Sequence, residues 1–572
     1  MINTIHFIYI IINLLNIESD FSFIYRLRVL IFIRKFLGFI IKKKSNIKPK
    51  FIIQNELSKI NEFCENWNSD YRNLDIFLKS LKIKSSTDSA IIEPYFRDWS
   101  NMEGFAYLLV RPRNKYECAI ILKICFKCNI LLTISAGKTN LTGSATPRGG
   151  IILSTSLLTD PSIELDLKNK EASCPIGIPL EDFRKKVLDE SNQTLYYPVD
   201  PTSRNDAYVG GTLSCNASGF IPGQKGATRY WVKELEFLLP NGDLVDIRRD
   251  QYISEKGNFS IEYEGKNIDL PVPTYNRPKI KNASGIFSNK NGKVDLIDLI
   301  IGSEGILGMI TSCKLGLADY PKENLELFFS LKNESDAIDF YEFLYDYFDN
   351  DLGKITALEY FGHNSQNYMN NREFLFSNAE DVGIYLQIPV FNDSLESKIE
   401  DWIKIFQSFN SKIDLENIVV LNDPENWKKF FEARHSLPDN ALTKTKKLGG
   451  VSIITDTIVP SENFRTYLQK VHKKLKSNKI EYLLFGHLGD CHLHFHLIPN
   501  KDQEKESFDA YDYMVDLSSQ LGGVYSAEHG TGKRKRNDFK KCYGENAVKM
   551  IKALKSTIDP INFLNRGNLI SH

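Results

Sequence analysis

Beyond residue 100 the chain reads as short apolar runs separated by Gly, Ser, Thr and Asn clusters, the pattern of buried strands joined by polar turns. Phe105 to Val110 reads as a strand that stops at Arg111-Pro112, Tyr116 to Cys128 as an apolar helix, and Leu131 to Ile134 as a strand opening into a Gly/Ser/Thr loop. Glu234 to Leu239 and Leu244 to Ile247 flank Pro240-Asn241-Gly242-Asp243, and Asn-Gly between apolar runs predicts a hairpin. Asp295 to Thr311 is an apolar run, a tight Gly/Ser/Gly turn and a second apolar run, which suits either a core hairpin or a close approach to a cofactor. Residues 51–97 are more polar and helical in pattern, an approach to the first compact unit.

The middle of the chain changes character. Strand patterns at Glu326 to Leu331, 354–361, 382–391 and Asn417 to Leu421 enclose helical patterns at 334–347 and 395–408. That β-α-β-β-α-β order predicts a separate ferredoxin-like unit of roughly a hundred residues. After it come a helix from Trp427 to His435 ending near Pro438, a strand from Val451 to Ile454, and a helix to Leu475 that Ser461 can cap. Two strands at 481–486 and 491–498, a helix at 504–520 and a final helix near 545–557 complete the reading, with no internal repeat.

Length bounds this picture: 572 residues should divide into two or three domains. The 72 basic and 72 acidic residues cancel, which offers no broad electrostatic case for a nucleic-acid partner. Lys533-Arg534-Lys535-Arg536 could touch phosphate, but a solvated face is the simpler reading. Nine scattered cysteines include a single Cys125-x-x-Cys128 and no second pair, so a reducing compartment is expected rather than a disulfide framework or an iron-sulfur cluster. Residues 1–50 join an apolar run, Phe7 to Leu15, to a charge-interrupted one, Phe21 to Ile41, and then Lys42-Lys43-Lys44. This suits an interfacial anchor, an unusual folded extension or a start assigned too early, and fits neither a bilayer span nor an ordinary secretory signal. The expected location is cytoplasmic or peripheral to a membrane.

The densest chemistry lies in Phe485-Gly486-His487-Leu488-Gly489-Asp490-Cys491-His492-Leu493-His494-Phe495-His496, which carries four of the ten histidines. With Gly489-Asp490 as the turn, His487 and His494 can converge from neighbouring strands, while His492, His494 and His496 share one face. Ser526-Ala527-Glu528-His529-Gly530 offers a hard oxygen in Glu528 and a base in His529. A His2Glu set with an open position would suit zinc or a similar divalent metal as Lewis acid, and mutually satisfied histidines are the plain alternative. Arg434 can grip a carboxylate through its planar fork or join an ordinary ion pair. Upstream, Ser135-Ala136-Gly137-Lys138-Thr139-Asn140-Leu141-Thr142-Gly143-Ser144 presents backbone donors without bulk, which suits a pyrophosphate, although it is neither a Rossmann fingerprint nor a P-loop. A second small-residue run holds Pro201, Gly210, Gly211, Cys215, Asn216, Ser218 and Gly219, and a third holds Glu304, Gly305 and Ile310.

In this order the loops resemble those of the FAD-linked oxidoreductase family that includes D-lactate, glycolate and D-2-hydroxyglutarate dehydrogenases. Lys225 through Val232 resembles the family's Tyr-Gly-Ala-Thr-Arg-Asp-Trp-Val, and Gly302-Ser303-Glu304-Gly305-Ile306-Leu307-Gly308 its Gly-Ser-Glu-Gly-Thr-Leu-Gly. Gly486 to His494 resembles Gly-His-x-Gly-Asp-Gly-Asn-Leu-His, and Asp559 to Gly567 the closing Asp-Pro-x-x-x-x-Asn-Pro-Gly. Lys138, Asn140, Lys225, Tyr230, Ile306, Cys491, His492 and Arg566 depart from those patterns.

The resemblance implies an α+β fold, with a two-part FAD-binding domain, a ferredoxin-like substrate cap and a helical C-terminal segment. The expected divisions are 1–50 as the apolar and basic extension, 51–320 for FAD, 321–460 for the cap, and 461–572 for the metal and flavin-site segment. It also implies noncovalent FAD on the three loops, a metal on His487, His494 and Glu528, His529 as base and Arg434 on the substrate carboxylate. The expected reaction is oxidation of a D-2-hydroxy acid, with electrons passing to an acceptor that the residues do not name. An ether-lipid precursor synthase, a phenol oxidase, a metal-dependent hydrolase and a non-catalytic flavin-binding protein are the alternatives.

Overall fold

A four-stranded sheet opens the described region, with Leu108–Arg111 and Leu132–Ser135 parallel to the intervening Ile151–Ser154 and with Lys84–Ser86 antiparallel at one edge. This computed structural model describes residues 46–409 and 413–571. The apolar and basic stretch at the N-terminus therefore lies almost wholly outside the described residues. Its last part, Ile47 and Lys50, bridges to Ile261 and Leu244. No helix among the described residues is long and apolar enough to cross a membrane.

The helix Lys115–Cys128 starts where the Asn114 side chain accepts the N–H of Glu117, an N-cap, and ends where Asn129 turns left-handed. Its apolar residues Cys118, Ile121, Leu122 and Cys125 are buried in the core shared with this sheet. A second, antiparallel sheet runs in the order Glu164–Asp166, Glu171–Pro175, Met309–Gly316, Val232–Leu238, Leu244–Arg248, and the Asn-Gly hairpin closes its last pair. The first flavin-type loop leaves the end of Leu132–Ser135 and the third leads into Met309–Gly316, whereas the second follows Leu195–Tyr196, paired with Ala318–Asp319 in a sheet of two strands, and runs through the short helix Val209–Cys215.

The middle segment forms the expected strands and helices, at Glu323–Leu331, Glu334–Tyr347, Ala357–Phe361, Val382–Val390 and Leu395–Ser408, with only Val419–Val420 remaining of the last strand. Its sheet does not stop there. Ala357–Phe361 pairs with Tyr482–His487, which pairs with His492–Leu497, so the histidine strands extend one seven-stranded sheet. Register sets His487 opposite His492.

Several elements differ from the sequence reading. The apolar run before the Gly302 turn is a short helix, Leu296–Ile300, because the Asp295 carboxylate accepts the N–H of Ile297 and caps it. Pro438 does not end its helix, which runs from Pro424 to Lys447. The buried face of Phe430, Ala433, Leu437 and Ala441 continues across the proline, and that packing outweighs the lost backbone hydrogen bond. Ser461 is the first helical residue of Ser461–Ser477 rather than its cap, a place taken by Pro460. The last helix begins at Arg536, not near 545, and is broken at Gly544 before ending at Ile558.

Candidate active site

The three small-residue runs close on one cavity of about 450 Å³, a size usual for small-molecule sites. Ala136 to Asn140, Pro201, Gly210, Gly211, Cys215, Ser218, Gly219, Glu304, Gly305 and Ile310 line it. Ser135, Thr142, Gly143 and Asn216 stand behind the lining. Thr142 Oγ1 donates to Asn140 Oδ1 at 3.0 Å, and Asn216 Oδ1 accepts the N–H of Arg229 at 3.0 Å.

The first loop owes its shape to the two residues that depart from the family pattern. Asn140 Oδ1 accepts the N–H groups of Thr142 and Ser144, both at 2.9 Å, and so curls the loop on itself. Lys138 takes a left-handed backbone and sends its ammonium out to the carbonyl of Pro94 at 2.8 Å. Among the described residues the N–H groups of 137 to 141 have no protein acceptor. Gly137 lies so near the 206–208 segment that a Cβ there would sit 2.0 Å from the Asp206 carbonyl oxygen.

Glu304 ties the loops together. Buried at 3 % exposure, it accepts Ser144 Oγ and the N–H groups of Thr531 and Gly532, the latter two at 2.8 Å. Asn565 completes the wall, donating to the Glu304 carbonyl at 2.9 Å and accepting the N–H of Ile134 at 2.8 Å. FAD fits this cradle: Thr155 Oγ1 and Ser218 Oγ face the cavity and, with the adjacent Ser135 Oγ, are buried without a hydrogen-bond partner. A pyrophosphate and its ribose hydroxyls would satisfy those atoms and the free N–H groups.

His487, Glu528 and His529 line the same cavity at one end. The side-chain nitrogens of His487, His492 and His494 and a carboxylate oxygen of Glu528 lie within 4.8 Å of one another. The tautomers are set from outside the cluster. His487 Nδ1 bonds Glu359 Oε1 at 2.6 Å and His494 Nδ1 bonds the Thr455 carbonyl at 2.9 Å, which leaves both Nε2 lone pairs facing Glu528 at 3.6 Å. His492 Nε2 lies 3.2 Å from Asp456 Oδ1, off the line of a good hydrogen bond, and its Nδ1 points 4.0 Å from Glu528 without a partner. Three imidazoles and a carboxylate with free lone pairs suit a divalent metal. His496, on the same strand face, instead bonds Ser452 Oγ at 2.7 Å and stands outside the group.

Buried charges hold this end together. Burial pushes His494 down to about 3, so it is neutral. Burial would raise the Glu528 carboxyl, but the ammonium of Lys281 at 3.1 Å and the neighbouring imidazoles hold it well below the carboxylate range. Asp456 is fully buried, and although burial opposes its charge, His529, Lys535 and His492 keep it ionised. His529 sits between the two carboxylates, Nδ1 3.5 Å from Asp456 and Nε2 3.5 Å from Glu528. Arg434 pairs with Glu359 at 2.8 Å and lies 4.6 Å over the Phe220 ring, one layer behind the cavity wall that Phe220 forms.

Sequence reasoning missed Glu359, Asp456 and Lys281. Glu359, in the strand Ala357–Phe361, and Asp456, two residues beyond the strand Ile453–Ile454, had a faint signal, each a lone carboxylate among apolar or uncharged residues; Lys281, in Pro-Lys-Ile-Lys-Asn, had none.

Residues 106–248 match the family model described as FAD binding domain, and residues 354–569 that described as FAD linked oxidases, C-terminal domain. A D-lactate dehydrogenase of Archaeoglobus fulgidus is 26% identical over 81% of this chain and 91% of its own. A D-2-hydroxyglutarate dehydrogenase of Stutzerimonas stutzeri is 21% identical over 85% of this chain and 96% of its own. Among solved structures, p-cresol methylhydroxylase superposes with a TM-score of 0.63 at 14% identity, covering 92% of this chain and 99% of that one, a likeness of fold.

Proposed function

Since the chain belongs to the FAD-linked oxidoreductase family, we propose that it oxidises a D-2-hydroxy acid to the 2-oxo acid with the help of a divalent metal. The observation that carries this reading is that the small-residue loops and the His487, Glu528 and His529 side chains line one cavity. A hydrolase would have no use for the first feature, and a flavin carrier none for the second.

The 136–140, 210–219 and 304–310 walls would hold FAD, which when bound would supply a two-electron acceptor for hydride from the substrate's α carbon. His487, His494 and Glu528, with His492 as a fourth donor, would hold a divalent metal, which would supply Lewis acidity at the substrate hydroxyl; this donor set would favour zinc. Arg434 orients the substrate carboxylate once the Phe220 ring that screens it from the cavity turns aside. Glu359 occupies only its Nη2, so Nε and Nη1 remain for a second carboxylate. His529 takes the hydroxyl proton as general base, and the ionised Asp456 beside its Nδ1 stabilises the imidazolium that results. Water is kept from the reacting end by the Phe220 ring, packed 5.4 Å from that of His487.

Purified protein should show absorbance bands near ~370 and ~450 nm that bleach anaerobically with one of D-lactate, glycolate or D-2-hydroxyglutarate. Prolonged chelation should slow the bleaching while the bands remain. Colourless protein, or bands indifferent to every 2-hydroxy acid, would remove the reading. Arg434→Met should raise KM and leave the flavin in place; unchanged kinetics would reject its role.

A further inference from the structure

Two sequence features that the flavin and metal chemistry leave unused meet in a second cavity. One is the basic run Lys533 to Arg536; the other is Arg566, which stands where the resembling closing segment has proline. This cavity, of about 420 Å³, is lined by Leu131, Arg148, Lys533, Arg536, Arg566 and Gly567 and shares no lining residue with the flavin cavity. Four of those six residues are cations and none is a carboxylate.

The basic run is a solvated face only in part, with Arg534 exposed, Arg536 half-buried and Lys533 and Lys535 buried. Lys535 turns inward to Asp456 at 3.2 Å, and Arg534 reaches the Ser100 carbonyl. Lys533, 4 % exposed, rests on three neutral acceptors, the carbonyls of Gly143 and Ser144 and Oδ1 of Asn568. Arg148, Arg536 and Arg566 make no side-chain hydrogen bond or ion pair among the described residues, and Nε of Arg566 is buried without a partner. The side-chain-free wall at Gly567 brings two of the cations close: a Cβ there would lie 3.6 Å from Arg536 Nη1 and 3.7 Å from Lys533 Cε.

Crowded cations with no carboxylate in the lining repel one another, and a buried guanidinium nitrogen without an acceptor is costly. Burial and the neighbouring Arg148 push Arg536 down, and burial brings Lys533 to about 7 even though Glu304 and Asp98 on the flavin side oppose the fall. A multivalent oxyanion removes both costs together, since guanidinium forks match phosphate oxygens two at a time. The cavity has room for more than one phosphoryl group.

We propose that the cavity formed by Arg148, Lys533, Arg536 and Arg566 is a binding site for a phosphate-bearing small molecule, separate from the flavin. The inference stands whatever the hydroxy acid and the metal prove to be. Because Lys533 also holds the Gly143 and Ser144 carbonyls of the first flavin loop, an anion here would also bear on the back of that loop.

The test is calorimetric titration of the flavin-loaded protein with inorganic phosphate and with AMP, at ionic strength held constant by chloride. Flavin loading keeps the phosphate probes out of the flavin cavity. Saturable one-to-one binding is expected. Arg148→Gln and Arg536→Gln should each weaken it at least tenfold while flavin absorbance stays at the wild-type level, and Arg566→Gln serves should either variant fold poorly. Without added anion the variants should melt at or above the wild-type temperature, because their repulsion is relieved; cations that serve only structure would lower it. Tighter AMP identifies an organic phosphate, and equal affinity identifies the oxyanion alone, both in support. Heats no larger than those of chloride, or arginine variants that bind as well as the wild type, would overturn the proposal.

Discussion

Asp456→Asn perturbs the chain at the point where most of the reacting end is anchored. The carboxylate is fully buried, accepts Ser526 Oγ, takes the backbone N–H groups of His529 at 2.9 Å and Glu528 at 3.2 Å, and pairs with Lys535 at 3.2 Å. Asparagine retains one acceptor and turns the other into a donor that must face either a backbone N–H or an ammonium. It also leaves Lys535, 6 % exposed, as an uncompensated buried cation. Removing one member of such a pair costs about 3–5 kcal/mol, so a loss in that range is expected in urea denaturation followed by near-UV circular dichroism. Lys535→Met in the same chain should recover part of it, with a coupling of about 1–3 kcal/mol. The pH dependence has a definite sign: the folded pKa is depressed, so the Asp456 contribution is full above the unfolded value near ~3.9 and fades as pH falls further. Substrate reduction of the flavin should slow, since His529 loses the charge beside its Nδ1. A loss under about 1 kcal/mol, or strict additivity with Lys535→Met, would refute the claim that this carboxylate is held ionised by its partners.

Gly137→Ala should weaken FAD retention by roughly tenfold or more, about 1.4 kcal/mol, because a Cβ would press to 2.0 Å from the Asp206 carbonyl oxygen; flavin content after gel filtration reads this. His496 is neutral in the fold and depressed to about 4 by burial, so an unfolded chain takes up its proton first as pH falls below about 6.5. Stability should therefore drop between pH 6.5 and 4 by about 3 kcal/mol from this side chain, and His496→Gln should flatten that part of a melting-temperature profile. Glu359→Gln should raise KM for the hydroxy acid roughly tenfold with little change in flavin content, since Arg434 and His487 lose the shared partner that orients them; a KM within twofold of wild type would show that Arg434 is positioned without it.

Much of the fold was legible because its signals are local. The hairpin at Asn241-Gly242 and the helix Glu504–Gln520 appear where the pattern puts them. The departures come from packing in one case and from a local cap in another. Pro438 should stop a helix, yet Phe430, Ala433, Leu437 and Ala441 are buried on both sides of it and hold the turns together. The run 296–300 is apolar except at Asp298 and too short for its period to distinguish strand from helix, and a capping contact at Asp295 decides it.

The candidate site divides differently. Its histidines are concentrated enough in sequence to be noticed, but what gives them chemical roles comes from far away along the chain. Glu359 lies 128 positions from the His487 it orients, and Asp456 is 73 from the His529 it holds. Those partners decide which ring nitrogen keeps a lone pair, and so which histidines could face a metal. Sequence spacing let His487 and His494 converge, and the resemblance put the metal on them and on Glu528 without His492. Register instead sets His492 directly opposite His487, with its Nδ1 unpartnered and within reach of Glu528. Strand alternation had put His496 on that same face, yet two residues of rise carry it away from His494 to Ser452. A histidine becomes a candidate ligand through the partner that fixes its other nitrogen, so four similar side chains in one stretch separate into three that converge and one that does not.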